Sequence, residues 1–167
     1  MSAPVLIAGL LEAFFTRRLL RERGASPNTV AAYRDAFRLL LGFAQRRLKK
    51  APSALTVADL DAPLIGAFLD HLGHERGNTA RTRNARLAAI HAFFRYLALQ
   101  EPAHAASIQR VLAMPSKRCT RRLVDFLTQQ EMAALLAAPD RGVWIGRRDH
   151  ALLLLTLQTG LRVSELI

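Results

Sequence analysis

The spacing of apolar and polar residues predicts helices along almost the whole chain. Apolar side chains recur at intervals of three and four, and no segment alternates with the period of two that is typical of a strand. Glycine, proline and capping residues divide this pattern into elements. Five helices are predicted in the first two thirds of the chain: 5–23, 29–48, 62–76, 78–100 and a short one over 102–114.

Capping residues and apolar stripes support these helices. Asn28 or Thr29 is expected to cap the second helix and Asp61 the third, because their side-chain oxygens can accept from free amides of the first turn. The fourth helix is expected to face a core with Leu87, Ile90, Phe94 and Leu97.

A polar, basic and non-periodic stretch, PSKRCTRRL (115–123), interrupts the helical pattern and predicts an interdomain linker. After it, TQQE (128–131) has the form of a capping box, DRGVWIGRRD is expected to be a loop, and HALLLLTLQTG is a buried helix closed by Gly160. The fold class is therefore all-α, with three parts: a helical domain over 1–114, a linker over 115–123 and the first helices of a second domain over 124–167.

The charge changes this picture by indicating a partner. The chain has 24 Lys and Arg against 13 Asp and Glu, a formal net charge of +11. Such an excess attracts polyanions and gains free energy when counterions are released from phosphates. A soluble protein with a merely basic surface is the alternative, although the preponderance of arginine, which can bind a phosphate through two hydrogen bonds, favours nucleic acid.

The start of the fourth helix is the clearest candidate phosphate site. Cations are unfavourable at a helix N-terminus, at about 0.3–1 kcal/mol each, unless an anion docks there. The alternative is a solvated face on which this small penalty is tolerated. The side chains concerned are Arg81, Arg83 and Arg86, with Asn78, Thr79, Thr82 and Asn84 as neutral donors.

Other kinds of site find little support in the sequence. The single cysteine, Cys119, cannot form an internal disulfide and indicates a reducing, cytoplasmic location. The apolar run 151–161 is too short to cross a bilayer. The five histidines do not form a metal-ligand set, and no Gly-rich phosphate loop or GxSxG turn is present. We therefore expect no metal, cofactor, membrane partner or small-molecule substrate.

The stretch QTGLRVSELI (158–167) holds a second arginine of interest. Gly160 lets the chain turn, so that Arg162 begins a new helix, and Glu165 lies one turn further on the same face. The carboxylate could fix the rotamer of the guanidinium and orient it for a phosphate. From the spacing alone, an ordinary exposed pair is the favoured alternative.

A family resemblance changes that weighting. TGLRVSEL (159–166) resembles the signature that opens the active site of tyrosine recombinases, the phage-integrase family. GASPNTVAAYRDAFRLLLGF and NTARTRNARLAAIHAFFRYL resemble helices of that family's DNA-clamping N-terminal domain, and LTQQEMAALLAAPD and GRRDHALLLLTLQTGLRVSEL resemble the start of its catalytic domain. The resemblance covers nearly the whole chain and about the first half of a typical member.

The resemblance implies a SAM-like DNA-clamping domain of four to five helices, followed by a linker and the beginning of the catalytic domain. Arg162 matches the first of two family arginines that stabilise charge on the scissile phosphate, and Glu165 matches an acidic residue that braces it. Family members attack DNA with a tyrosine and need no metal or nucleotide. The family's lysine, His-x-x-Arg pair and tyrosine lie downstream of this motif, and neither Tyr33 nor Tyr96 is placed to replace the nucleophile. We therefore expect a truncated member that does not cleave DNA alone, and whether it counts as an enzyme stays open.

Double-stranded DNA is the expected partner. Association with other recombinase protomers is a second expectation that the sequence leaves open. A non-catalytic regulator of a full-length recombinase and a basic helical interaction scaffold are the alternatives. Segment 124–167 is strongly apolar, so we expect it to be partly unfolded, aggregation-prone or packed on the first domain. The predicted DNA contacts, mostly to phosphates, are Arg34, Arg38, Asn78, Thr79, Arg81, Thr82, Arg83 and Arg86, with Lys117, Arg118, Arg121 and Arg122 in the linker.

Overall fold

The computed structural model describes residues 4–119 and 126–166, and its regular structure over these ranges is helical. An isolated antiparallel bridge between Leu6 and Thr56 is the exception. The chain divides into two compact units, Met1–Thr120 and Arg121–Ile167. This division falls within the segment 115–123, and the domain boundaries given above stay a prediction.

The all-α prediction is confirmed. The first unit contains α1 (Ile7–Ala13), which continues as a π-helix (Phe14–Glu22), then α2 (Pro27–Leu48), α3 (Ala62–His74), α4 (Ala80–Gln100) and α5 (Ala105–Leu112). Short 3₁₀ turns lie at Pro52–Ala54, Val57–Asp59 and Pro102–His104. The second unit contains α6 (Gln129–Ala137), α7 (Trp144–Thr159) and the four-residue α8 (Val163–Leu166).

The helix predicted over 5–23 is present over Ile7–Glu22 and changes geometry within this range. In the π-helical part, hydrogen bonds join residues five apart, so that positions five apart come onto the same face. Phe14 and Leu19 are separated by five residues, and both are almost fully buried. The wider helix therefore lets both side chains reach the core, which a regular α-helix would not do.

The capping of α2 differs from the prediction. Ser26, not Asn28 or Thr29, is the N-cap, and its hydroxyl accepts a hydrogen bond from the Thr29 amide at 3.3 Å. The helix begins two residues earlier than expected because Pro27 occupies its first position, where a missing N–H costs nothing. The Asp61 cap of α3 is confirmed, with its carboxylate 2.8 Å from the Leu64 amide nitrogen.

The core of the first unit is built around α4, which contacts α2, α3 and α5. Leu87, Ile90, Phe94 and Leu97 are buried on it, as predicted. Between them, Phe93 meets the rings of two other helices edge-on, with centroids 5.4 Å from Phe14 and 5.2 Å from Phe37. Such aromatic pairs hold helices in a defined register in addition to the apolar area that they bury.

The second unit confirms two predictions and corrects a third. Thr128 and Glu131 form the capping box of α6, and Gly160 ends α7 with a φ of 69°. The stretch DRGVWIGRRD, expected to be a loop, already enters α7 at Trp144. Gly146 allows this early start, because a Cβ at this position would overlap the backbone carbonyl of Asp140.

The second unit has little core of its own. Among residues 126–166, Gly146 is the only buried one, so the prediction that HALLLLTLQTG is a buried helix is wrong. Large apolar side chains lie in solvent instead, with Phe126 88% and Trp144 65% exposed and several leucines of α6 and α7 about 40% exposed. An apolar surface of this kind gives the unit few interactions that resist local unfolding.

We predict that backbone amides of α7 exchange with solvent much faster than those of α4, measured on the whole chain by hydrogen–deuterium exchange. The physical reason is that α4 is buried in a packed core whereas α7 is not. Uniform slow exchange in both helices would contradict this prediction and would show that α7 is covered.

Candidate nucleic-acid interface

The polar side chains at the start of α4 include the N-cap of the helix. Thr79 is the N-cap, and its hydroxyl accepts from the Thr82 amide at 3.2 Å while the two hydroxyl oxygens lie 3.1 Å apart. The Nδ2 atom of Asn78, just before the cap, is buried and has no hydrogen-bond partner among the described residues. Of the neutral donors predicted at this end, Asn78 is thus the one left unpaired.

Arg34 and Arg81 are exposed cations without a carboxylate partner. Arg34 lies on α2 and Arg81 in the first turn of α4. Both side chains face solvent, and neither forms an ion pair within the described ranges. Their full charge is therefore available to an external anion.

Arg86 is held by a carboxylate across the two helices. Its Nη1 atom lies 2.8 Å from Asp35 Oδ2, and Arg38 Nη2 lies 2.8 Å from the other oxygen of the same carboxylate. The hydrogen bond from Arg86, followed by that from Arg38, holds the pKa of Asp35 below its usual value. With a side chain only 18% exposed, Arg86 ties α4 to α2, whereas Arg38 remains 78% exposed.

Arg83 lies on the core side of α4. It is 8% exposed, and its Nε and Nη1 atoms have no hydrogen-bond partner among the described residues. The expectation that Arg81, Arg83 and Arg86 share one phosphate site is therefore corrected. Because successive residues turn by about 100° around a helix, Arg81 points to solvent, Arg83 towards the core and Arg86 towards α2.

Two further exposed cations, which the sequence analysis missed, lie near Arg38. Arg46 and Arg76 are exposed and line, together with Arg38, a small hollow of about 70 Å³ between α2 and α3. Arg38 and Arg46 are two turns apart on α2 and line the same hollow, and Arg34 lies one turn before Arg38. This spacing was the signal that could have identified Arg46.

A broader groove of about 580 Å³ lies between the first halves of α2 and α4. Alanine side chains from both helices leave it open, and the Asp35–Arg86 pair borders it. The lining residues are Asn28, Thr29, Ala32, Tyr33 and Asp35 on α2, with Thr82, Ala85, Arg86 and Ala88 on α4.

The first part of the predicted linker carries exposed cations and is attached to α4. Lys117 and Arg118 are exposed and form no ion pair among the described residues. Asn84, which was grouped with the phosphate donors, instead bonds the backbone of Lys117: its amide nitrogen donates to the carbonyl at 2.7 Å, and its oxygen accepts from the N–H at 2.9 Å. Arg121 and Arg122 lie outside the described residues.

Arg162 and Glu165 contact each other as predicted, but the stronger contact is with the backbone. One carboxylate oxygen of Glu165 accepts from the Arg162 N–H at 2.8 Å, and the other lies 3.4 Å from the guanidinium. Glu165 therefore fixes the start of α8 and holds the guanidinium only loosely. The Arg162 side chain is 83% exposed.

Residues 4–119 and 126–166 contain no cluster of three or more His, Cys, Asp or Glu side chains arranged to hold a metal ion. Over the same ranges, no helix combines the length and apolar character needed to span a bilayer.

Comparison with known proteins decides the family. Residues 13–101 match the phage integrase N-terminal SAM-like domain, which covers α2, α3 and α4 completely. The chain belongs to the phage integrase, or tyrosine recombinase, family. This member is 60% identical over 166 residues to y4rC of Sinorhizobium fredii, a protein named as an integrase/recombinase. It is 36% identical over 147 residues to the tyrosine recombinase XerC of Pelotomaculum thermopropionicum.

The relatives of this integrase family member are longer than the chain. The match to y4rC covers 99% of this chain and 50% of y4rC, and the match to XerC covers 87% and 46%. The chain thus spans about half the length of the curated relatives it matches. No solved structure matches it.

We predict that Asp35→Asn lowers the thermal unfolding midpoint at pH 7, because it removes the charge that joins Arg86 to α2. The side chain is 40% exposed, so the expected loss is small, on the order of 0.5 kcal/mol. A carboxyl group with a lowered pKa stabilises the fold above its unfolded pKa, and this contribution is lost as the pH falls through the folded value.

The difference between wild type and variant should therefore be full at pH 7 and should begin to shrink only below about pH 4, as the pH falls through the lowered pKa of Asp35. Asp70→Asn is the control, because Asp70 is an exposed α3 residue whose carboxylate has no ion pair among the described residues. A difference between wild type and Asp35→Asn that is independent of pH would contradict the assignment.

Proposed function

We propose that this chain binds double-stranded DNA through its first unit, as the DNA-clamping part of a site-specific recombinase. The observation that carries the proposal is that Arg34 on α2 and Arg81 on α4 are exposed and have no acidic partner among the described residues. They lie on helices inside the segment that matches the phage integrase N-terminal domain. Relatives are named integrases and tyrosine recombinases, which supports DNA as the partner.

The arrangement of charges favours a phosphate backbone over a single small anion. The exposed cations of α2 are distributed along the helix from Arg34 to Arg46, and Arg81 adds a charge at the start of α4. A linear polyanion can satisfy separated cations at the same time, and each neutralised phosphate releases counterions. Such contacts position a protein on the duplex without reading its sequence.

Arg86 and Arg83 have different roles in this proposal from those first predicted. Arg86 keeps α2 and α4 at a fixed spacing through Asp35, which preserves the groove between the two helices. Arg83 is too buried for direct contact with a duplex in this conformation. Asn78, Thr79 and Thr82 remain proposed DNA contacts at the end of α4, together with the linker cations.

In the second unit, we propose Arg162 as a phosphate-stabilising arginine and Glu165 as its support. The exposed guanidinium keeps its full charge, and Glu165 fixes the backbone from which it projects. A preorganised cation of this kind stabilises negative charge that develops on a phosphate. Association with other recombinase protomers and a cytoplasmic location also stay predictions.

We predict that Arg34→Ala and Arg81→Ala each weaken duplex binding about equally for all sequences. Each substitution should reduce the magnitude of the slope of log K against log salt by about 0.9, the value for one lost phosphate contact. Fluorescence anisotropy with labelled duplexes of two unrelated sequences, over a salt series, measures both effects.

Arg110→Ala is the matched control for these variants. Arg110 is an exposed cation on α5, a helix that contacts His91 in the second half of α4. Its removal should leave the slope unchanged. Equal effects in all three variants would show that only net charge matters, and an absence of salt-sensitive binding in the wild type would favour the interaction-scaffold alternative.

We also predict that the chain alone forms no covalent complex with DNA. Both of its tyrosines belong to the first unit, where Tyr96 is buried and the ring of Tyr33 stacks on Phe14 with centroids 6.5 Å apart. Incubation with a labelled nicked duplex, followed by a denaturing gel, detects a phosphotyrosyl adduct. An adduct that is lost in Tyr33→Phe or Tyr96→Phe would contradict the prediction.

A further inference from the structure

One side-chain amide joins two segments of the first unit that are 33 residues apart in sequence. Asn84 lies in the second turn of α4 and pairs with both backbone groups of Lys117, at 2.7 Å and 2.9 Å. Its amide nitrogen also lies 3.3 Å from the Cys119 sulfur, which in turn lies 3.6 Å from the Lys117 carbonyl oxygen. The amide thus uses both kinds of its hydrogen-bonding groups on the linker.

The side-chain amide of Asn84 pairs with the backbone of Lys117 in the same way as one peptide group pairs with another. Because it includes one donated and one accepted bond to the same residue, it fixes both the position and the direction of the backbone at Lys117. It leaves the side chains of Lys117 and Arg118 unengaged, and both are exposed. The linker therefore begins at a defined place on α4, with the side chains of Lys117 and Arg118 exposed to solvent.

The position of Asn84 on α4 determines which cations are brought together. Arg81 lies three residues earlier, and residues three apart are neighbours on the same helix face. Pinning Lys117 to Asn84 consequently brings the first linker cations close to the exposed cation at the start of α4. Without the pairing, the linker would carry the same charges but would not hold them at this place.

We propose that Asn84 is a positioning residue for DNA binding, which fixes the start of the linker on α4 so that Lys117, Arg118 and Arg81 form one phosphate-binding surface. Asn84 itself does not contact DNA, because its hydrogen-bonding groups are used by the linker. This inference rests on the proposed function, in which the first unit and the linker bind a duplex.

The test is a double-mutant cycle on the full chain. Asn84→Ala removes the pairing while keeping a residue that favours helix, so the fold should persist and the thermal unfolding midpoint checks it. Duplex affinity is measured over a salt series for the wild type, Asn84→Ala, Lys117→Ala with Arg118→Ala, and the triple variant. Gln100→Ala is the matched control, since Gln100 is an exposed amide at the other end of α4 that has no side-chain hydrogen bond among the described residues.

We expect Asn84→Ala to weaken binding several-fold and to reduce the magnitude of the salt slope by about 1 to 2, as for one or two lost phosphate contacts. Because Asn84 acts through the linker cations, its substitution should have no further effect in the variant that lacks Lys117 and Arg118. Gln100→Ala should bind like the wild type. An effect of Asn84→Ala that is equally large without the linker cations, or no effect at all, overturns the proposal.

A second measurement examines the pairing without DNA. The Lys117 N–H donates to Asn84, so its exchange with solvent should become several-fold faster in Asn84→Ala and stay unchanged in Gln100→Ala. Unchanged exchange in Asn84→Ala overturns the pairing itself. A wild-type chain that lacks salt-sensitive duplex binding, but shows the faster exchange in the variant, would overturn the proposed function and the DNA role of Asn84 while leaving the pairing in place.

Discussion

The packing of α4 against the aromatic side chains of α2 and of the first helix decides where the charges of the first unit lie. Phe93 is held between Phe14 and Phe37, with centroid distances of 5.4 Å and 5.2 Å that are typical of edge-on rings. With this face fixed, the rotation of α4 is fixed too, and every other residue of the helix has a determined direction. Arg81 then faces solvent, Arg86 meets Asp35 on α2, and Asn84 meets the start of the linker.

Much of this arrangement could be predicted from the sequence, because helix spans and buried stripes depend on spacing within one segment. The stripe from Leu87 to Leu97 is an example. The burial of Arg83 had a signal as well: Arg83, Leu87 and Ile90 are spaced by four and three residues, so the arginine continues the apolar stripe. Its charge suggested a surface position, and the spacing was the better guide.

Contacts between segments could not be predicted in the same way. The pairing of Arg86 with Asp35 spans 51 residues, and that of Asn84 with Lys117 spans 33. No local sequence pattern predicts either pair. The start of α7 was missed for a different reason. Gly146 weakens a helical pattern when it is read locally, although in three dimensions it makes room for the backbone at Asp140. The exposed apolar side chains of 126–166 likewise indicate that this segment is stable only when other apolar residues pack against it.

In both units, a carboxylate determines what the neighbouring arginine can do. Asp35 accepts short hydrogen bonds from two guanidinium groups, so that Arg86 becomes part of the scaffold while the cations beyond its reach keep their charge for a partner. Glu165 accepts its shorter hydrogen bond from the backbone N–H of Arg162 and makes only a 3.4 Å contact with the guanidinium. It therefore fixes the backbone from which the arginine projects and leaves the guanidinium exposed. An Arg–carboxylate pair thus connects two helices in the first unit and leaves an available cation in the second. The difference is that Asp35 bonds guanidinium groups, whereas Glu165 bonds mainly a backbone N–H.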